Sequence, residues 1–128
     1  MNDHLLKIAL LIAGGSLGTL FRYGTSLLAA RVFGSGFAWG TMIVNLSGCF
    51  LIGCAFALAE RTSMLGPLPR LFFVTGFLGA LTTFSSYALE SIGFIEAGTS
   101  SLALVNLLVN NILGLGLVAV GMWVCRHL

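Results

Sequence analysis

The sequence predicts an all-α membrane protein with four transmembrane helices, the third of which is broken within the membrane. Of its 128 residues, 58% are hydrophobic and only 8% are charged, whereas a soluble domain carries about 25% charged residues. The hydrophobic residues form four segments, each close to the roughly 20 residues that span a bilayer. The third segment contains a polar run that lipid would not tolerate. These observations predict an integral membrane protein without a separate soluble domain.

The four segments follow one another through short loops and form one predicted domain, residues 1–128. The predicted spans are approximately residues 5–30, 39–59, 71–95 and 101–124. A signal peptide is the alternative for the first segment, but no A-x-A cleavage pattern is present and the apolar character continues past Gly18. An even number of spans places both termini on one side. The larger number of Lys and Arg residues there favours the cytoplasm.

The first span carries small residues and one charge. Gly14 and Gly18 are spaced i, i+4, which predicts close contact with another helix. Arg22 lies deep in the same span, where an arginine costs about 2.5–3.5 kcal/mol on insertion scales. It is either a functional group that attracts an anion or a side chain that reaches the interface beside Tyr23. The sequence leaves both interpretations open.

The second span opens with Trp39, an expected interfacial residue, and contains one strongly polar side chain, Asn45. An amide at membrane depth can join two helices by hydrogen bonds. It can also donate to an anion through its NH₂ group. Taken alone, this residue favours the helix-joining role.

The third span contains the polar run. Residues 76–87 read GFLGALTTFSSY, with four hydroxyl side chains in close succession. A hydroxyl moved from water to hydrocarbon without a partner costs roughly 4–8 kcal/mol, and helical geometry spreads these positions over more than one face. Irregular backbone at membrane depth persists only where it is buried in protein or lines a cavity. The run therefore predicts a broken helix that forms part of a permeation path.

Further polar residues lie in the second half of the chain. Glu90, near the far end of the third span, is expected at the membrane interface, with a proton or cation site as the alternative. Asn106 and Asn110 in the fourth span are spaced i, i+4 and share a face. They form either an interhelical hydrogen-bond ladder or a polar track. Asn111 is predicted to point elsewhere.

The polar residues predict transport of an anion and no catalysis. No nucleophile–base pair can be recognised, so the chain is not expected to be an enzyme. The intramembrane groups are mainly hydrogen-bond donors, which suit an anion, whereas a cation path prefers acidic rings. A phenyl ring has a positive edge, so Phe84 could meet an anion edge-on. Cys49, Cys54 and Cys125 lack C-x-x-C spacing and are expected to be small buried hydrophobes.

Three stretches of the chain resemble the small fluoride channels, the Fluc or CrcB family. The run at residues 76–87 closely resembles the third-helix motif of that family. The first two helices are similar to its Gly-rich first helix and its second-helix motif. The matching residues there are residues 14–22 with Tyr23, and residues 40–45 with Gly48 and Gly53. The resemblance covers the whole chain, including its length and four spans.

This resemblance implies a fluoride-selective ion channel that exports fluoride passively across the inner (plasma) membrane of a bacterium. It also implies an antiparallel, dual-topology homodimer with two pores. The residues at the family's pore positions are Phe84, Tyr87, Asn45, Thr83, Ser85, Asn106 and Asn110, with Arg22 at the vestibule.

The resemblance further implies a structural sodium ion at the dimer centre, held by backbone carbonyls of Gly79 and Thr82 from each subunit. This is chemically reasonable because a broken helix frees carbonyls and a hard cation prefers oxygen ligands. The chain departs from the family pattern at Ala80, Ser86 and Tyr87, which replace a glycine, a threonine and a phenylalanine. We expect Tyr87 to conduct fluoride but to alter its rate or the rejection of chloride.

Two other functions are compatible with four apolar spans. A small multidrug exporter also has dual topology, but its proton coupling needs a carboxylate in the first helix, and the first span has none beyond Asp3. The other is a structural subunit of a membrane complex, which fluoride conduction by the purified protein alone would exclude. The sequence does not distinguish a homodimer from a heterodimer with a paired chain.

Overall fold

The computed structural model describes residues 2–61 and 65–128, and the regular secondary structure in these residues is helical. Four helices are long and apolar enough to cross a membrane, namely Asp3–Phe33, Trp39–Arg61, Pro67–Glu96 and Ser100–His127. The prediction of four membrane-spanning helices is therefore confirmed. Each helix runs a few residues beyond the predicted apolar segment because it continues into the polar residues that flank it. The loop between the second and third spans includes residues 62–64, outside the described part.

The spans are built from nine helical segments of the described chain. The first two are single helices, α1 (Asp3–Phe33) and α2 (Trp39–Arg61). The third span comprises α3 (Pro67–Arg70), the π-helical π1 (Leu71–Leu78), α4 (Gly79–Leu81) and α5 (Phe84–Glu96). The fourth comprises α6 (Ser100–Leu108), the π-helical π2 (Val109–Leu113) and α7 (Gly114–His127).

Local chemistry explains where several helices begin and end. Pro67 opens α3, where its missing N–H removes no intrahelical hydrogen bond. Gly34 ends α1 with a φ of 79°, and its N–H donates to the Ala30 carbonyl at 3.0 Å. Gly98 adopts a φ of 74° after α5. Both glycines take the left-handed conformation that other residues rarely adopt.

Two residues of the third span, Thr82 and Thr83, have extended backbone between α4 and α5. Their φ and ψ angles are −83° and 153° for Thr82, and −149° and 118° for Thr83. Thr83 then caps α5, because its Oγ1 accepts a hydrogen bond from the Ser86 N–H at 3.2 Å. Threonine is a common residue at this position because its hydroxyl satisfies an N–H that lacks a helical partner.

Glycines bring α1 into backbone contact with the third span. A methyl group on Gly14 would collide with the Phe72 carbonyl oxygen, and one on Gly18 would collide with the Phe77 carbonyl oxygen. The close contact predicted from the spacing of these two glycines is confirmed. It fixes α1 against π1 and α4, directly beside the extended residues.

Glycines also join α2 to α7. A methyl on Gly53 would meet the Val118 carbonyl, and one on Gly121 would meet the Phe50 carbonyl. The two helices run parallel, since Arg126 pairs with Glu60 at their carboxyl ends, with 3.0 Å between Nη2 and Oε2. The fourth span is therefore held tightly against the second, and their polar side chains can meet.

Candidate functional site

Three cavities share lining residues and lie in series along the third span. The first, of about 350 Å³, is lined by Asn45, Gly48, Cys49, Ile52, Val74, Leu78, Gly79, Thr82, Thr83, Phe84, Tyr87, Asn110 and Asn111. The second, of about 310 Å³, is lined by Thr19, Arg22, Tyr23, Ser26, Thr41, Thr83, Ser86 and Glu90. The third, of about 200 Å³, is lined by Ser26, Ala30, Gly34, Ser35, Phe37, Ala38, Trp39, Gly40, Thr41 and Glu90.

The shared residues show how the cavities follow one another. Thr83 lines both the first and the second cavity. Ser26, Thr41 and Glu90 line both the second and the third, which reaches the loop between α1 and α2. The extended backbone of the third span therefore stands between a first cavity that is largely apolar, with the amides of the second and fourth spans in its wall, and a second cavity lined mainly by polar side chains.

Asn45 holds this extended backbone in place from α2. Its Nδ2 donates to the Thr83 carbonyl at 3.1 Å, and its Oδ1 accepts from the Thr83 N–H at 2.8 Å. The side-chain amide thus pairs with both backbone groups of one residue, as a neighbouring strand would. Because Thr83 lies outside a helix, its buried backbone groups need partners from elsewhere. Asn45 supplies both of them.

The amides of the second and fourth spans form a continuous ladder. Asn45 Nδ2 also donates to Asn110 Oδ1 at 3.0 Å, and Asn110 Nδ2 donates to Asn106 Oδ1 at 2.9 Å. Asn106 is fully buried, with 0% of its surface exposed, and its Nδ2 donates to Ser91 Oγ at 3.0 Å. Of the two arrangements that the sequence left open, the interhelical ladder is the one present in this structure.

The extended residues redirect the hydrogen bonds of two carbonyls. In a continuous α-helix the Thr83 N–H would donate to the Gly79 carbonyl and the Ser86 N–H to the Thr82 carbonyl. Instead the Thr83 N–H donates to Asn45 Oδ1, and the Ser86 N–H donates to Thr83 Oγ1. Gly79 is exposed and Thr82 half-buried. Both carbonyls thus lose their helical donors beside the first cavity.

The second cavity combines a cation with a carboxylate. Arg22 lies half-buried in its wall. Across the same cavity, the Thr41 hydroxyl donates to Glu90 Oε1 at 2.7 Å, while Glu90 Oε2 is buried with no hydrogen-bond partner among the described residues. Glu90 therefore lies between helices, facing two cavities.

The aromatic residues of α5 have different surroundings. Phe84 is 78% exposed, whereas Tyr87 is 6% exposed. Their ring centroids are 5.5 Å apart, with the rings at 60° to each other, an edge-to-face arrangement in which the positive edge of one ring meets the π-face of the other. Ser85 is also exposed, and its Oγ lies 3.4 Å from Thr83 Oγ1.

Comparison with known proteins assigns the family. The family model described as CrcB-like protein, Camphor Resistance (CrcB), matches residues 9–122. The chain belongs to the CrcB family. A relative from Salinibacter ruber, named fluoride-specific ion channel FluC, is 48% identical over 117 residues, covering 91% of this chain and 87% of its own.

Two further relatives carry the same name. The protein from Shewanella amazonensis is 44% identical over 119 residues, which cover 93% of each chain. The protein from Agrobacterium fabrum is 37% identical over 124 residues, covering 97% of this chain and 99% of its own. The resemblance recognised in the sequence is thus confirmed, as is the prediction that the chain is not an enzyme. Membership of the CrcB family also disfavours the multidrug-exporter alternative.

One prediction for this CrcB-family chain is wrong, and it concerns Asn111. The α-helical spacing placed Asn111 away from the face of Asn106 and Asn110. In the structure Asn110 and Asn111 line the same cavity, and Asn111 Nδ2 donates to the Tyr87 hydroxyl oxygen at 2.8 Å. Both lie in π2, whose wider turns bring consecutive side chains closer in angle than an α-helix does.

Thr41 is a second residue that the sequence analysis did not single out as a site residue. Its hydroxyl was unremarkable in a span whose strongest polar signal was Asn45. Its spacing from Asn45, i to i+4, could have placed both on one face of α2. In the structure both side chains form hydrogen bonds with the third span, Thr41 with Glu90 and Asn45 with Thr83.

Proposed function

We propose that this chain forms a fluoride-specific ion channel that lets fluoride leave a bacterial cell passively across the inner membrane. The observation that carries the proposal is the extended segment at Thr82 and Thr83, which Asn45 holds between two cavities in series within the membrane-spanning region. Membership of a family whose relatives are named fluoride-specific ion channels supports the choice of ion.

In this proposal the extended segment is the mid-membrane break of the third helix. Extended backbone within the hydrocarbon region requires partners from protein or from a water-filled cavity, and Asn45 and the adjoining cavities meet this requirement. Fluoride, stripped of its hydration water, moves along hydroxyl donors and the ring edges of Phe84 and Tyr87. Arg22 attracts the anion at the vestibule. A narrow path rich in donors favours the smallest halide over chloride.

The functional unit that we propose is an antiparallel homodimer with dual topology and two pores. Polar groups that a single chain leaves uncovered support this, among them Ser16 and Thr19 of α1 and Ser85 of α5, all exposed. Hydroxyls facing lipid are unfavourable, and a second copy would cover them. The same copy would cover Phe84, which a single chain leaves 78% exposed.

We also propose that the dimer centre holds a structural sodium ion through the carbonyls of Gly79 and Thr82 from both copies. The chemistry of these groups fits the ion, because both carbonyls lie beside the extended segment and their usual helical donors bond elsewhere. Hard cations prefer such oxygen ligands. Bound there, sodium would hold together the third span of one copy and the third span of the other.

Fluoride efflux from liposomes that contain only this purified chain tests the proposal. We expect rapid efflux of fluoride, measured with a fluoride electrode, and no comparable efflux of chloride from the same vesicles. Liposomes without protein provide the background. Efflux at background rate from a folded, reconstituted chain would reject a channel formed by this chain alone, and with it the homodimer, since a heterodimer or a structural subunit would be inactive alone. Replacing sodium by a larger organic cation is expected to lower the stability of the dimer.

A further inference from the structure

The side-chain amides at the predicted pore positions already donate all of their N–H groups to other protein groups in this conformation. Asn45 donates to Thr83 and Asn110. Asn110 gives both of its N–H groups to the carbonyl and the Oδ1 of Asn106, and Asn106 donates to Ser91 Oγ and to the Tyr87 carbonyl. Each side-chain amide has two N–H groups. An anion in the first cavity must therefore find another donor.

Asn111 has an orientation that its surroundings determine. Its Nδ2 donates to the Leu107 carbonyl at 2.8 Å and to the Tyr87 hydroxyl oxygen at 2.8 Å. A backbone carbonyl can only accept a hydrogen bond, so the nitrogen of the amide, and not its oxygen, must face Leu107. Both N–H groups of Asn111 are thereby committed.

This orientation determines what the Tyr87 hydroxyl can do. Its oxygen accepts from Asn111, so its own hydrogen must point elsewhere. Within residues 2–61 and 65–128, Asn111 is the one polar group that bonds this hydroxyl. Tyr87 is 6% exposed and lines the first cavity together with Thr83 and Phe84. A donor without an acceptor is unfavourable, so this hydrogen needs water or a ligand that accepts a hydrogen bond in the first cavity.

We propose that the Tyr87 hydroxyl, oriented by Asn111, donates a hydrogen bond to the anion in the first cavity. Asn111 is then a positioning residue that acts through Tyr87. This inference rests on the proposed fluoride channel and adds to it the donor that the committed amides cannot provide. A hydroxyl donor beside an aromatic ring edge suits fluoride, which accepts hydrogen bonds more strongly than chloride.

A double-mutant cycle tests this coupling. Tyr87→Phe, Asn111→Leu and the double variant are reconstituted separately, and fluoride efflux is measured over a range of fluoride concentrations. We expect Tyr87→Phe to raise the half-saturating fluoride concentration about tenfold, because the variant loses one hydrogen bond to a charged group. Asn111→Leu should raise it less, and should add nothing in the Tyr87→Phe background.

Ser47→Ala is the matched control, since in the part of the chain that the structure describes the Ser47 hydroxyl bonds only the Ile43 and Val44 carbonyls of its own helix. It should leave half-saturation unchanged. If the parent chain conducts fluoride but the effects of the two substitutions on half-saturation add, the inference is wrong and the channel proposal stands. The same holds if Tyr87→Phe leaves the half-saturating fluoride concentration unchanged. A parent chain that conducts no fluoride overturns both.

Discussion

At the scale of single residues, Asn45 links the fold to the site. One side chain pairs with both backbone groups of Thr83 and also begins the amide ladder to the fourth span. In this conformation Asn45 joins helices, which is the role that this residue, taken alone, favoured in the sequence. In the proposed channel, its contribution is to hold the extended backbone in place beside the cavities.

Asn45→Asp tests that role with almost no change of shape. The carboxylate keeps an acceptor for the Thr83 N–H but places a second oxygen against the Thr83 carbonyl and Asn110 Oδ1. Each buried group left without a partner costs about 1–3 kcal/mol, so we expect lower thermal stability in detergent and loss of fluoride efflux from liposomes. Ser47→Ala, two residues away on α2, should behave like the parent. Parental efflux by Asn45→Asp would contradict this role.

Residue types could be predicted better than their partners. The sequence indicated that the polar residues of the last three spans meet protein or an ion, because hydrocarbon excludes them. It did not indicate that Asn45 would form hydrogen bonds with Thr83, since that contact joins residues 38 positions apart. Hydrogen bonds between distant residues depend on how the helices pack, which periodicity does not contain.

At the scale of elements, glycine contacts set the distances between helices. The spacing of Gly14 and Gly18 predicted one such contact, and the structure adds the contact between α2 and α7 at Gly53 and Gly121. The π-helical segments were not predictable, because the sequence carries no signal for i→i+5 bonding. The error over Asn111 follows directly from treating π2 as an α-helix.

Gly121→Ala and Gly116→Ala make a matched pair on α7. A methyl on Gly121 would collide with the Phe50 carbonyl, whereas nothing lies within 4 Å of one on Gly116. We expect Gly121→Ala to destabilise the protein by about 1–3 kcal/mol, as overpacking does. Gly116→Ala should be neutral or slightly stabilising because alanine favours a helix. Thermal unfolding in detergent measures both, and equal midpoints for the two variants would argue against backbone contact between α2 and α7.

At the scale of the whole molecule, the balance of charge governs the proposed dimer. The net charge is +2, and Lys7, Arg61, Arg70 and Arg126 lie at the end of the molecule that carries the termini. Arg31 lies at the opposite end. By the positive-inside rule this distribution of Lys and Arg residues favours an orientation with cytoplasmic termini. Dual topology calls for a near balance of these charges, so the four-to-one distribution is also compatible with a partner chain of the opposite orientation.

Added lysines test dual topology. We expect Ser35→Lys together with Gly36→Lys, in the loop between α1 and α2, to force that loop into the cytoplasm and to reduce fluoride efflux from cells to near background. Lysines added before α1, beginning with Asn2→Lys, should fix the opposite orientation with the same loss. Co-expression of the two forms should restore efflux. Full activity of either form alone would show that a single orientation is sufficient.

The contact between Asn45 and Thr83 has a consequence for hydrogen–deuterium exchange. Amide hydrogens near a helix end usually exchange when that end frays locally. The Thr83 amide hydrogen is held by a side chain of α2 instead, so deuterium can replace it only when the bond to Asn45 opens. The exchange of this one hydrogen therefore reports on the contact between α2 and the third span, independently of the fraying of α5.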